Sequence, residues 1–85
     1  MELTLKRKPY GGGAYFLMYG THRVGETFRV GKEWSLQLQG VYWRSTDAGY
    51  EANTSRGGTT GVRLQSLAYA LSVANTVAAR IGLTT

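Results

Sequence analysis

Few residues in this chain are equipped for covalent or metal chemistry. It has one histidine, His22, no cysteine, and five carboxylates: Glu2, Glu26, Glu33, Asp47 and Glu51. A histidine cluster for zinc is therefore impossible, and thiolate ligands do not exist. No two acids have a spacing that forces them together for glycoside chemistry, and Ser66 lacks the surroundings of a nucleophile elbow. His22 adjoins Arg23 beside a glycine turn, where a solvated or phosphate-contacting role is favoured over general base. The run Arg56, Gly57, Gly58, Thr59, Thr60, Gly61 offers backbone amides ahead of a helix, which can hold an anion. It lacks the lysine and the spacing of a Walker loop, so a linker is the preferred reading. The chain is expected to be non-catalytic, with no cofactor and no metal.

What remains is positive charge interleaved with aromatic rings. Ten Lys and Arg against five acids give a formal charge of +5 and a pI near 9.9, which favours polyanionic partners. All five acids lie in the first 51 residues, leaving only Arg56, Arg63 and Arg80 as ionic residues beyond them. Lys6, Arg7 and Lys8 form the densest cluster, which reads equally as phosphate contact or as a charged edge that blocks strand addition. Arg23, Arg29, Arg44 and Arg56, with Tyr42 as a stacking ring, complete the expected nucleic-acid-binding set. Guanidinium forks beside an aromatic ring and amide side chains are what phosphate contact, base-edge hydrogen bonding and stacking require.

The elements that must position these residues are strands. Gly20 with Thr21, and Gly31 with Lys32, separate strand-like runs at 14–19, 22–30 and 33–39; a glycine first in a two-residue loop suits a type II′ hairpin turn. The result is a three-stranded antiparallel meander. Val24, Phe28 and Val30 fall on one side of the second run, with Glu26 as an exception; Arg23, Thr27 and Arg29 fall on the other. Trp34, Leu36 and Leu38 alternate against Glu33, Ser35, Gln37 and Gln39. Such period-two patterning gives a sheet with one apolar and one wet face, and the wet face is expected to gather Arg23, Thr27, Arg29 and Gln37, joined by Tyr42 and Arg44. A further strand starts at Leu3 and runs through the basic cluster to Pro9, and a short one covers 41–44. Residues 45–62 read as a glycine-rich loop with one short strand around 50–52.

A helix over 66–81 follows from Leu67, Ala70, Leu71, Ala74, Val77, Ala78 and Ile81, which share one helical face. Ser66 is placed to cap its start and Gly82 to end it. The expected architecture is therefore α+β: an antiparallel meander of three to five strands with a C-terminal amphipathic helix packed on one sheet face, forming a single domain over residues 1–85. The outer side of the helix carries no charge before Arg80, and Tyr69, Val73 and Thr76 are its expected protein interface. That side reads equally as small residues tolerated in water or as a contact with another protein or a second copy, which would make a homodimer. At this length folding buries only about 60% of the unfolded surface, so the core is thin. The start has no apolar signal-peptide core and no run reaches membrane-spanning length, so a cytoplasmic protein without membrane contact is expected.

In outline, from about residue 14 onward, the arrangement is similar to AP2-type and integrase arm-binding domains, in which a three-stranded sheet backed by a helix enters a DNA groove. By size, lack of cysteine and architecture the whole chain resembles small accessory proteins of bacteriophages and mobile elements, some of them anti-CRISPR proteins. The first resemblance implies DNA contact through the sheet. The second implies occlusion of a host enzyme, defence complex or nucleoprotein in the bacterial cytoplasm. The function expected is a binding module for nucleic acid or a nucleoprotein complex through the basic sheet face; the alternative is a protein-binding inhibitor.

Overall fold

Among the described residues, six strands follow one another in the chain and lie side by side in the same order. The computed structural model describes residues 2–9, 12–47, 49–53, 62 and 64–84. Strands β1 (Thr4–Arg7), β2 (Tyr15–Tyr19), β3 (His22–Val30), β4 (Glu33–Leu38), β5 (Val41–Thr46) and β6 (Gly49–Ala52) make one antiparallel sheet, and helix α1 (Leu67–Arg80) follows them. The fold is α+β, with a sheet wider than three to five strands.

The extra width comes from the segment read as a loop. β5 continues two residues past Arg44, and Thr46 pairs with Gly49 to start a hairpin back through Tyr50, Glu51 and Ala52. Polar residues hold this hairpin where apolar alternation is missing. Ser45 is 6% exposed; its hydroxyl donates to the Gly49 carbonyl and lies 2.8 Å from the Tyr69 hydroxyl. Trp43 and Tyr50 meet edge to face with ring centroids 5.9 Å apart. The glycine-rich run with Arg56 lies outside the described residues.

The turns obey backbone sterics. Gly20 and Gly31 have φ of 64° and 62° at the first loop position, as the hairpin reading requires. β4 ends one residue earlier than expected because Gln39 and Gly40 form the next loop, both with positive φ, 49° and 82°. That pattern suits a type I′ turn, in which a non-glycine residue such as Gln39 accepts a left-handed conformation.

One irregularity reorganises the sheet surface. The β2–β3 register runs Leu17 opposite Gly25 and then Met18 opposite Arg23, which leaves Val24 as an extra residue in β3. This is a β-bulge, and it inverts the facing of everything before it relative to strict alternation. Gly25 is required there, since a Cβ would sit 2.0 Å from the Gln37 carbonyl oxygen and 3.1 Å from the Leu38 Cα on β4.

A second irregularity is a fork. β4 and β5 are paired only from Leu36 opposite Trp43 to Leu38 opposite Val41. Beyond that point, Trp34 N–H donates to the Leu64 carbonyl at 2.8 Å and Ser45 N–H to the Val62 carbonyl at 2.9 Å. Val62 and Leu64 are fully buried. The Val62 and Leu64 carbonyls thus satisfy these two N–H groups where the strands part.

Ala70, Val73, Ala74, Val77 and Ala78 of the helix share one core cluster with Leu3, Leu17, Leu36, Leu38 and Leu64. Each large side chain of this kind contributes about 1.5–3 kcal/mol on burial. Ser66 caps the helix, its hydroxyl accepting the Tyr69 N–H at 3.0 Å. Gly82, at φ 79°, ends it, with Leu83 N–H donating to the Ala78 carbonyl. Leu3 N–H donates to Asn75 Oδ1 at 2.7 Å and ties the first strand to the helix. Val73 is only 6% exposed. It therefore belongs to the core, in one cluster with Ala70, Ala74, Val77 and Ala78, rather than to the outer surface expected for it. Ile81, expected inside, is 45% exposed just beyond the last helical residue.

Candidate nucleic-acid interface

Register and alternation divide the sheet side chains into two sets. One contains Tyr15, Leu17, Thr27, Trp34, Leu36, Leu38 and Trp43 and supplies the core. The opposite set contains a continuous row across five strands: Lys6 opposite Phe16, Phe16 opposite Glu26, Glu26 opposite Gln37, and Gln37 opposite Tyr42. Four inter-strand steps of about 4.8 Å make this row about 19 Å long. Met18 and Arg23 lie on one side of it, and Arg44 with Glu51 lies on the other.

The bulge decides which arginines join this surface. Because Val24 is the extra residue, Arg23 falls beside Met18 in the same set as Phe16, Glu26 and Gln37. Thr27 and Arg29, expected on the same wet surface as Arg23, fall in the other set. Thr27 is fully buried and its hydroxyl donates to the Ser35 carbonyl at 2.7 Å. Arg29 is exposed at the strand end opposite Trp34, and its Nε donates to the Gly31 carbonyl at 3.1 Å. Phe28, opposite Ser35, and Val30, opposite Glu33, fall outside the core-side set in which they were expected; Ser35, expected wet, is fully buried. The sequence signal for the placing of Arg23 is Gly25, a glycine inside an otherwise strand-like run; Thr27 and Arg29 follow instead from the two-residue hairpin at Gly31, which sets them opposite Leu36 and Trp34.

At the middle of the row, Phe16 is the hub of a charged cluster. The Lys8 ammonium lies 4.9 Å and the Arg23 guanidinium carbon 4.8 Å from the ring centroid. Both are within the range where a cation is attracted to the ring quadrupole. Lys8 also pairs with Glu26, their side chains being 25% and 29% exposed. Lys8, Phe16, Arg23, Val24, Gly25, Glu26 and Gln37 line an open depression of about 430 Å³.

The remaining expected contacts are distributed unevenly. Arg44 pairs with Glu51, directly opposite it on β6. Lys6 and Arg7 are exposed on β1 at the sheet edge, Lys6 in the row and Arg7 in the set opposite to it. Tyr42 is half-buried beside Gln37. On the helix, Tyr69 is 42% exposed with its hydroxyl turned to Ser45. Thr76 is exposed, its hydroxyl donating to the Ser72 carbonyl. The sequence-derived sites that the structure gathers are thus Lys6, Lys8, Arg23, Tyr42 and Arg44. Phe16 and Glu26, at the centre, carry no binding role in the sequence reading, whereas Gln37 beside them is on the wet face as expected. Cross-strand register is what unites them, and it depends on the bulge.

Among the described residues, no group of three or more His, Cys, Asp or Glu could hold a metal ion. None of the described helices is long and apolar enough to cross a membrane. No family model matches the chain, and no curated protein or solved structure is significantly similar to it.

Proposed function

We propose that this protein is a non-catalytic binding module that takes nucleic acid on the sheet surface centred on Phe16. The observation that supports this reading is the convergence of Lys8 and Arg23 on one aromatic ring, in a row that also offers Lys6, Gln37 and Tyr42. Cations supply phosphate contact and counterion release, rings supply stacking, and the amide supplies base-edge hydrogen bonds. Because Glu26 and Glu51 already pair with Lys8 and Arg44, the electrostatic pull comes mainly from Lys6 and Arg23. The salt dependence should therefore be shallow, with a slope of roughly two counterions rather than that of a large phosphate-binding groove.

The test is fluorescence anisotropy of labelled single-stranded and duplex oligonucleotides at a series of salt concentrations. Binding that weakens with salt along such a shallow slope is expected. Absence of binding to every DNA and RNA at low salt would remove this reading. A second reading, a phage-type protein inhibitor acting by occlusion, draws support from the exposed Ala68, Ser72, Thr76 and Ala79 of the helix, which carry no charge. It gains if protein partners survive nuclease treatment of a bacterial lysate while oligonucleotides fail to bind.

A further inference from the structure

Glu26 is the residue that a simple phosphate-binding surface does not explain. It sits between Phe16 and Gln37 in the central row, and a carboxylate at the middle of a backbone-binding groove repels the phosphates it is meant to hold. Its chemistry suits a different part of a nucleic acid. An ionised carboxylate only accepts hydrogen bonds, and it accepts two parallel ones from a ligand with adjacent N–H donors. Beside it, the Lys8 ammonium only donates. A donor next to a double acceptor complements the Watson–Crick edge of guanine, where O6 accepts and N1–H and N2–H donate. Arg23 adds a flat cation already resting on Phe16, and guanidinium planes stack on unpaired bases.

We propose that the depression around Phe16 receives one unpaired guanine base. Glu26 accepts from N1–H and N2–H, Lys8 donates to O6, and Arg23 stacks on the ring. The Lys8–Glu26 ion pair is then a preformed recognition element, held by β1–β3 in the position where the base edge arrives. In a duplex that edge is engaged by the pairing strand, so the site selects single strands, loops or bulged bases. The proposal rests on the nucleic-acid reading above and narrows it to a base and a residue.

The test uses the full chain and thymidine decamers carrying one central guanosine, inosine, adenosine or cytidine, followed by anisotropy. The guanosine decamer is expected to bind about tenfold more tightly than plain decathymidine, which is what one good bidentate pair supplies. Inosine, lacking N2–H, should fall between them. Glu26→Gln is expected to remove the preference, read as the ratio of the guanosine-decamer affinity to that for decathymidine. Equal, salt-sensitive affinities of the wild-type protein for all the decamers would overturn the guanine proposal and leave nucleic-acid binding standing. No binding to any of them would overturn both. The wild-type comparison decides the matter even if Glu26→Gln proves unstable.

Discussion

Lys8–Glu26 and Arg44–Glu51 are both cation–carboxylate pairs in the same set of the sheet, yet their surroundings differ. Arg44 and Glu51 face each other across neighbouring strands and are 41% and 48% exposed at the side chain. Among the described residues, no other ion pair or cation–ring contact includes either of them. Lys8 and Glu26 are more enclosed, lie at either side of Phe16, and share that ring with Arg23. An exposed pair of the first kind is worth about 0–1 kcal/mol and is screened by salt. The second is part of an arrangement in which ring, fork, ammonium and carboxylate fix one another. What separates the two is therefore the scaffold beneath: a bulged hairpin with an aromatic platform against a short edge hairpin.

The scaffold is the place where this contrast breaks most easily. Gly25→Ala puts a Cβ against the Gln37 carbonyl, so the bulge must shift. A stability loss of about 1–3 kcal/mol is expected in urea unfolding, together with loss of the Arg23 contact to Phe16. An alanine that leaves both stability and oligonucleotide affinity unchanged would mean that the bulge does not organise the Phe16 cluster. Smaller effects belong to the other pair. Arg44→Ala or Glu51→Gln should change stability by less than about 1 kcal/mol, and oligonucleotide affinity by about twofold at most, since the Arg44 charge is already compensated. A loss as large as that from altering Arg23 would put the two pairs on an equal footing.

The same contrast marks what could be read in the sequence. The hairpins at Gly20 and Gly31 were legible because positive φ is a local demand that glycine answers. The helix was legible from its 3.6-residue period, and its cap from Ser66. Leu36 and Leu38 are legible as core-side residues because β4 alternates without interruption. The bulge was not legible from alternation: one added residue at Val24 exchanges the facing of Arg23 relative to Thr27 and Arg29. β6 reads in the sequence only as a brief strand inside a loop, because the hairpin it makes with β5 is held by contacts far away in sequence, such as Ser45 of β5 with Tyr69. Val73 looked peripheral by helical phase alone, yet the width of the core brings it inside. Charge alone marks Lys6, Lys8 and Arg23 in the sequence, whereas the ring that unites Lys8 with Arg23 follows only from the cross-strand register.

The central claim is that the working surface is the one around Phe16, that the bulge assigns Arg23 to it, and that the β3–β4 register, with Arg29 opposite Trp34, keeps Arg29 away from it. Parallel anisotropy titrations of Arg23→Ala and Arg29→Ala with a single-stranded oligonucleotide test this most directly, since both variants remove one positive charge from the same strand. Arg23→Ala is expected to weaken binding by about tenfold or more, and Arg29→Ala by no more than about twofold. Equal losses from the two variants, or a larger loss from Arg29→Ala, would contradict the account.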